Sequence, residues 1–248
     1  MLKNEVALVT GASRGIGAAI AVLLGQQGCR VGVNYHSNAD AAREVVAKIN
    51  DSNGRAVAVQ ADVTLPSDVS RMVQATTDEF GPIDILVLNA GMSVPVKPFV
   101  DLTYEEFTTK STGEMNGFLL TLQQVVPSMI ERRKGVIVGI SSTLSRHPGP
   151  GFSSHTAAKS GIDGLMKSLA LELGPYGIRV NTVAPGLTVT DSTSFINEEQ
   201  KQMVARMTPM QRIAQPEDIA GAVLCLASDH MKFVTGAYIP VCGGSFMP

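Results

Sequence analysis

Seven short apolar runs alternate along the chain with six amphipathic segments, and this alternation limits the fold more than any other feature. Most of the runs are rich in β-branched residues and apolar on both faces, which is typical of parallel strands covered on each side by helices. The predicted strands are residues 6–9, 30–34, 56–60, 85–88, 135–140, 179–183 and 238–241. The predicted helices are residues 15–27, 39–52, 66–80, 104–133, 153–173 and 216–227. The sequence therefore predicts an α/β fold, a doubly wound parallel sheet with right-handed crossovers.

The length and composition of the chain favour a single domain. The chain has 248 residues, of which 44% are hydrophobic. A chain of roughly 250 residues fits one α/β domain and buries about three-quarters of the surface that is exposed when it is unfolded. The sequence contains no low-complexity segment, internal repeat or Pro/Ser-rich linker. We therefore expect residues 1–248 to form one domain whose core needs neither a disulfide nor a metal ion.

The charge and the cysteines argue against several kinds of partner. A formal net charge of −2 disfavours nucleic acid, whose binding requires a basic face to neutralise phosphates. No apolar run reaches the roughly 18 residues of a membrane span, and the first residues lack a signal-peptide pattern, so we expect a cytoplasmic protein that does not bind membranes. Cys29, Cys225 and Cys242 lack metal-ligand spacing. We expect them to be buried small hydrophobic residues in a reducing compartment.

The first predicted strand ends in a glycine-rich turn, Thr10-Gly11-Ala12-Ser13-Arg14-Gly15-Ile16-Gly17, that leads directly into a helix. Glycine allows a tight turn and a close approach of the backbone to a pyrophosphate. The N-terminus of the following helix offers free N–H groups and the positive end of its dipole. In this strand–turn–helix context the pattern predicts a dinucleotide-binding site. The spacing of the glycines differs from the more common dinucleotide fingerprint.

This glycine spacing resembles the cofactor loop of the short-chain dehydrogenase/reductase family. The resemblance continues, in family order, through Asp62-Val63, Asn89-Ala90-Gly91, Ser142, Lys159, Pro185-Gly186 and Gly243-Gly244. It covers essentially the whole chain and is strongest to the 3-oxoacyl-thioester reductase branch. It implies a Rossmann-type single domain that transfers a hydride between a nicotinamide cofactor and a substrate carbon.

The resemblance also implies which residues contact the cofactor. They are Gly11, Ser13, Arg14, Ile16, Gly17, Tyr35, Asp62, Val63, Asn89, Ala90, Gly91, Lys159, Pro185, Gly186 and Thr188. Thr188 stands where the family usually has an aliphatic residue, so its backbone is expected to serve. Asn89 has two roles in the family, packing beside the adenosine ribose and tying neighbouring strands together, and the sequence does not choose between them.

Charge at the end of the second strand favours NADP(H) over NAD(H). NAD-specific sites place a carboxylate there to hold the ribose 2′-hydroxyl, whereas this strand continues Asn34-Tyr35-His36-Ser37-Asn38. Arg14, in the glycine-rich turn, is a positive partner for a 2′-phosphate. The alternative is that Arg14 is only a solvated loop residue.

Two of the four catalytic positions of the family are kept and two are changed. In the family a serine orients the substrate carbonyl, a tyrosine transfers the proton, a lysine supports the tyrosine and the nicotinamide ribose, and an asparagine holds a water. Ser142 and Lys159 match the serine and the lysine, although Ser142 is also suited to capping a turn. Position 155, the place of the tyrosine, is His155, and position 114, the place of the asparagine, is Glu114.

The two changed positions allow two interpretations. In the first, Glu114 and His155 are a matched pair, with a protonated His155 relaying a proton through water, because its ring nitrogen ends roughly 2 Å short of a phenol oxygen. Lys159 opposes that protonation and a nearby carboxylate favours it. In the second, Glu114 forms an ion pair with Lys159 in an inactive site. The sequence leaves both open, and no metal ligand is expected in either.

Three functions are therefore compatible with the sequence. The first is an oxidoreductase that uses NADP(H) on an oxo- or hydroxyacyl, thioester-like substrate with an atypical active site. The second is a catalytically inactive subunit of a hetero-oligomeric dehydrogenase whose intact partner carries out the chemistry. The third is a module that senses the cofactor without turnover. The family builds tetramers through its long helices and C-terminal strand, so a homotetramer or a heterotetramer is implied.

Residues 191–212 are polar and rich in methionine, as expected of a mobile lid over a substrate.

Overall fold

A computed structural model of the protein describes residues 2–52 and 54–247. Residues 1, 53 and 248, which the predicted domain includes, lie outside the described residues. Within the described residues, seven parallel strands form one sheet in the order β3-β2-β1-β4-β5-β6-β7. The strands are β1 Val6–Val9, β2 Arg30–Tyr35, β3 Arg55–Gln60, β4 Ile85–Leu88, β5 Gly135–Ile140, β6 Ile178–Pro185 and β7 Tyr238–Val241. The predicted fold class is confirmed.

Seven α-helices connect or flank these strands in the described part of the chain. They are α1 Gly15–Gln26, α2 Ala39–Asp51, α3 Pro66–Phe80, α4 Tyr104–Arg132, α5 Ser153–Leu173, α6 Glu198–Met207 and α7 Pro216–Ala227. The six predicted helices are confirmed to within one residue at each end. Helix α6 was not predicted, because none of its described residues is buried and it has no apolar stripe. Asn197 and Gln200 form a capping box, a sequence pattern that indicates the start of a helix.

The helices cover the sheet on both faces. Helices α1, α2 and α7 pack on one face and α3, α4 and α5 on the other. All four residues of β1 and all four of β4 are buried, as expected of strands in the middle of a doubly covered sheet. The parallel direction of the strands brings the turns after β1, β4, β5 and β6 to one edge, where ligands bind in such sheets. No helix among the described residues is long and apolar enough to cross a membrane.

One expectation about the cysteines is wrong. Cys29 and Cys242 are buried as predicted, but Cys225 is exposed. It lies on α7, whose buried residues are Ile219, Ala220, Val223, Leu226 and Ala227. Position 225 falls on the opposite side of the helix from this stripe, since successive residues turn by about 100°.

Candidate active site

The turn after β1 is folded so closely that two of its positions require glycine. Gly11 has a φ of +61°, and a Cβ atom there would lie 2.9 Å from the Cα of Ala90. A Cβ atom on Gly17 would overlap the carbonyl oxygen of Gly11 and lie 2.5 Å from Nδ2 of Asn89. The backbone of this turn is therefore packed directly on the segment that follows β4.

Asn89 and Thr10 lock these two segments together. Nδ2 of Asn89 donates hydrogen bonds to the carbonyl oxygens of Thr10 at 2.9 Å and Gly11 at 3.0 Å. The hydroxyl of Thr10 accepts from the backbone N–H groups of Asn89 at 2.9 Å and Ala90 at 3.0 Å. The strand-tying role of Asn89, one of the two expected roles, is thus present. The part played by Thr10 was missed, although a threonine at a strand end is a common partner for turn N–H groups.

The same turn is anchored to β2. The side-chain carbonyl of Asn34 accepts from the N–H of Gly11 at 2.9 Å, and the N–H of Ala12 donates to the backbone oxygen of Asn34 at 2.7 Å. Helix α1 then begins after Arg14 without a side-chain cap among the described residues. An uncapped N-terminus presents free N–H groups and a positive dipole end. This arrangement fits the pyrophosphate of a dinucleotide.

Two charged residues flank this turn, each with a partner. An exposed ion pair joins Arg14 to Asp191 at 3.8 Å. Asp62 lies 3.7 Å from His36 and accepts hydrogen bonds from the N–H and hydroxyl of Thr64. Partial burial opposes ionisation of Asp62, but the Thr64 bonds outweigh it, so the pKa of Asp62 is lowered. Three further residues expected to contact the cofactor pack inward: Ile16 and Tyr35 contact the core, and Val63 is buried against Gly117.

Ser142 lies at the carboxyl end of β5, where it caps a short turn. Its Oγ accepts from the N–H of Leu144 at 3.2 Å, at the start of the 3₁₀ turn Thr143–Ser145. The phenol of Tyr238 donates to the backbone oxygen of Ser142 at 3.1 Å. Ser145 donates to the carboxylate of Asp163 at 2.7 Å. The turn-capping role considered for Ser142 is present, and β7 and α5 fix the loop that carries it.

Lys159 is buried beside Ser142's strand and is held by two groups. Its Nζ donates to the backbone oxygen of Ile140 at 2.8 Å and forms an ion pair with Glu114. Glu114 is buried on α4 and forms a second ion pair with Lys110, four residues earlier on that helix. Lys110 also donates to the backbone oxygen of Met92 at 2.9 Å. Lys110 was not predicted from the sequence, although its i, i+4 spacing to Glu114 is the spacing of a helical ion pair.

The central carboxylate of this cluster is ionised. Burial alone would raise the pKa of Glu114, but the charges of Lys159 and Lys110 and their hydrogen bonds outweigh it, so its pKa is lowered. Burial lowers the pKa of Lys110, and Lys159 adds to that effect while Glu114 opposes it. Both oxygens of Glu114 face ammonium groups.

His155 is neutral at neutral pH. Burial, followed by the charges of Lys159 and Lys110, lowers its pKa to about 3, and the opposing effect of Glu114 is smaller. Its Nδ1 is buried without a hydrogen-bond partner among the described residues, and its ring meets that of Phe152 edge-on. The low pKa is unfavourable for the protonated His155 of the first interpretation, and the oxygens of Glu114 pair with Lys110 and Lys159. The ion pair of Glu114 with Lys159, which the second interpretation names, is present; contact of Glu114 with a cation is expected in both interpretations and does not separate them.

The turn after β6 closes the other side of the site. Gly186 donates its N–H to Val241 at 3.1 Å, and a Cβ atom on it would lie 2.8 Å from that of Cys242. Thr188 is buried, and its hydroxyl donates to the backbone oxygen of Gly186 at 3.1 Å. Thr190 lies against Gly15 of the glycine-rich turn, 3.3 Å from where a Cβ atom would be. Pro185, Gly186 and Thr188 thus form one compact turn facing the start of α1.

The segment predicted to be a lid contains ordered structure. It includes the 3₁₀ turn Asp191–Thr193 and helix α6. Met203, Met207 and Met210 are exposed there, so most of each side chain faces solvent, whereas methionine is more commonly a buried packing residue.

Comparison with known sequences gives matches that cover nearly the whole chain, including the candidate site. A family profile described as enoyl-(acyl carrier protein) reductase matches residues 11–245. The 3-oxoacyl-[acyl-carrier-protein] reductase FabG of Staphylococcus epidermidis is 37% identical over 244 residues, covering 98% of this chain and 100% of the relative. The 3-oxoacyl-[acyl-carrier-protein] reductase of a Synechocystis species is 38% identical over 247 residues, covering 99% and 98%.

The chain is also similar to a relative whose name gives a different substrate and to a protein of known structure. The 3beta-hydroxysteroid dehydrogenase 1 of Eggerthella lenta is 37% identical over 246 residues, covering 98% of this chain and 94% of the relative. The crystal structure of levodione reductase superposes with a TM-score of 0.93 at 28% sequence identity, covering 98% of each chain.

Proposed function

Because the chain belongs to the short-chain dehydrogenase/reductase family of oxidoreductases, we propose that it binds NADP(H) and acts in hydride transfer to or from an oxo- or hydroxyacyl thioester. The observation that carries this proposal is the glycine-rich turn, locked by Thr10 and Asn89 beneath the uncapped N-terminus of α1. Two of the relatives act, by their names, on 3-oxoacyl groups, which supports the substrate class.

In this proposal each element of the site has a separate task. The backbone of the turn holds the pyrophosphate, Arg14 pairs with the 2′-phosphate, and Lys159 holds the nicotinamide ribose. When bound, the cofactor supplies or accepts the hydride. The hydroxyl of Ser142 orients the substrate oxygen. Because its pKa is lowered to about 3, His155 carries no imidazolium proton to donate near pH 7, so in this proposal the proton needed for reduction comes from solvent through water.

The test is turnover by the isolated chain. We expect NADPH oxidation with a 3-oxoacyl thioester, and a clear preference for NADPH over NADH. Ser142→Ala, which removes the hydroxyl and with it the cap on the N–H of Leu144, should lower kcat by about 10²-fold or more if that hydroxyl acts in the reaction. Turnover that is insensitive to Ser142→Ala and Lys159→Met would contradict the assignment of these residues.

A second candidate function is supported by the state of the two changed positions. His155 is neutral and its Nδ1 has no partner among the described residues, while Glu114 is fully occupied by lysines. These features suit a subunit that lends its surface to an intact relative and performs no chemistry. In that case the isolated chain does not turn over, and it co-purifies with a relative that has tyrosine and asparagine at the two positions. Inactivating that relative's tyrosine should then abolish the activity of the assembly.

The quaternary state separates the two candidates further. We propose a homotetramer for the active enzyme and a heterotetramer for the inactive subunit, both in the cytoplasm. Leu171, on the outer side of α5, is 82% exposed in the single chain, as expected of a helix face that another subunit covers. Native mass spectrometry of the protein from its own source distinguishes one kind of chain from two.

A further inference from the structure

A buried carboxylate shared by two lysines lies at the centre of the candidate site. Helix α4 presents Lys110 and Glu114 one turn apart, and α5 presents Lys159 from the other side. The side chains of Lys110, Glu114 and Lys159 are 3%, 0% and 8% exposed. We call these three residues the lysine–glutamate cluster.

The charge of the cluster depends on Lys110. With two ammonium groups and one carboxylate, the cluster carries one net positive charge. An isolated ion pair of Glu114 with Lys159 would carry none. The excess charge is offset by two backbone oxygens, those of Met92 and Ile140, each of which accepts a hydrogen bond from one ammonium group. Such partners are required because an uncompensated buried charge is strongly destabilising.

Lys110 also joins the cluster to the cofactor segment after β4. Its hydrogen bond reaches Met92, which directly follows Asn89-Ala90-Gly91. The carboxylate of Glu114 lies 3.5 Å from where a Cβ atom on Gly91 would be. The cluster therefore connects α4, α5, the end of β5 and the segment that packs on the glycine-rich turn.

We propose that Lys110 is a positioning residue of this site, which shares Glu114 with Lys159 so that Lys159 remains a cation not fully neutralised by its partner. Without Lys110, Glu114 would belong to Lys159 alone and hold it more tightly. The assignment of a role to Lys159 rests on the proposed function, but the sharing of Glu114 does not. Among the described residues, the charged groups that act on Lys110 and Glu114 are members of the cluster itself, and all three members act on the imidazole of His155.

The test measures how much of each lysine amine is free, in the cofactor-free full chain. Trace acetylation with acetic anhydride at pH 9, followed by peptide mapping, gives the labelling of Lys110 and Lys159 relative to exposed Lys48. In Lys110→Met we expect the labelling of Lys159 to fall by about tenfold, because Glu114 then pairs with Lys159 alone and holds its ammonium group more tightly. In Lys110→Arg, which keeps the charge, it should stay near that of the unmodified protein.

The double variant Lys110→Met/Glu114→Gln distinguishes sharing from a merely structural role. It returns the cluster to one positive charge, so the labelling of Lys159 should recover at least to that of the unmodified protein. Labelling that is unchanged in Lys110→Met, or that does not recover in the double variant, overturns the proposal even if the thermal stability falls.

A second variant keeps the proposal testable if Lys110→Met does not fold. Glu114→Gln removes the carboxylate that both lysines share, so the labelling of Lys110 and Lys159 should rise together. A rise at Lys159 alone shows that Lys110 does not share Glu114 and overturns the proposal. Protection of Lys159 by added NADPH is a separate readout in the same samples. Its absence counts against the proposed function and leaves the inference about Lys110 standing.

Discussion

At the scale of single residues, the sequence showed that positions 114 and 155 differ from the family but not which groups surround Glu114 and His155. Both candidate partners of Glu114 are lysines, but only Lys159 is marked by its place in a known motif. The spacing of Lys110 to Glu114 is a local signal, but its sharing of Glu114 with Lys159, 49 positions later in the chain, becomes visible only when α4 and α5 are packed together. The charge state of His155 is likewise set by burial and by two lysines on different helices, which no local pattern encodes.

His155 makes the stability of the protein depend on pH. Its pKa is lowered to about 3 in the folded protein, against about 6.5 in an unfolded chain. Between these values the unfolded state binds the proton and the folded state does not. The free energy of unfolding therefore falls with falling pH, by up to about 1.4 kcal/mol per pH unit from this group.

The variant His155→Gln should lack this contribution. We expect urea unfolding of the unmodified protein to lose about 1–2 kcal/mol more than the variant between pH 7 and pH 5. Equal losses in the two proteins would show that the imidazole is not held neutral by the fold.

At the scale of elements, strands were predictable and their ends less so. The apolar runs that become β1, β4, β5 and β7 have the predicted bounds. In β1, β4 and β5 nearly every residue is buried, so apolar side chains are required along the whole strand, whereas β7 is only partly buried. Strand β6 extends to Pro185, two residues beyond the prediction, because residues 182–185 pair with β7, and such pairing is not a local property. Helix α6 was not predicted from apolar periodicity, because it has no buried face and therefore no stripe of apolar residues.

The contact of α1 with the segment after β4 can be tested with a pair of helical glycines. At Gly17 an added methyl group meets Gly11 and Asn89, whereas at Gly221 on α7 it meets nothing within 4 Å. Gly17→Ala should lower the free energy of unfolding by about 2 kcal/mol or more, as overpacking does, and weaken binding of NADPH. Gly221→Ala should raise it by about 0.5–1 kcal/mol, because alanine favours helix.

Calorimetric or urea unfolding of the two variants gives this comparison directly. If Gly17→Ala is as well tolerated as Gly221→Ala, the close packing of the glycine-rich turn on Asn89 is not a requirement of the fold.

At the scale of the whole molecule, the two edges of the sheet are specialised differently. The carboxyl edge carries the lysine–glutamate cluster and the glycine-rich turn. The amino edge is closed by Asp84, whose carboxylate accepts from the N–H of Val6 at 3.0 Å and from Arg132 at 2.7 Å, with Lys134 at 3.3 Å. These contacts tie β1 and the start of β4 to the end of α4.

The contribution of Asp84 should appear on acidification. Burial opposes its ionisation, but the Val6 and Arg132 hydrogen bonds outweigh it, so the pKa of Asp84 is lowered. Its stabilisation is therefore present above the unfolded pKa of about 3.9 and is lost as the pH falls through the folded value. At pH 7, Asp84→Asn should lower the free energy of unfolding by about 1–3 kcal/mol.

Asp40→Asn is the matched control for this prediction. Asp40 pairs with Arg43 on the surface of α2 and its side chain is 86% exposed, so the change should be below about 0.5 kcal/mol. The difference between the two variants at pH 7 should shrink as the pH approaches 3 in acid-unfolding curves. A constant difference would show that the loss in Asp84→Asn comes from packing and not from the charge.

The lysine–glutamate cluster also constrains the order in which its residues can have been acquired. Lys110 beside an uncharged residue at position 114 would bury two ammonium groups with no carboxylate between them, the least stable of the possible intermediates. Glu114 beside Lys159 alone forms a neutral pair, which a fold tolerates. A lineage that began with Lys159 alone therefore reaches the present cluster through the glutamate first. Once both have been gained, the glutamate cannot be lost before Lys110 without leaving two buried ammonium groups, whereas loss of Lys110 alone returns the cluster to the neutral pair.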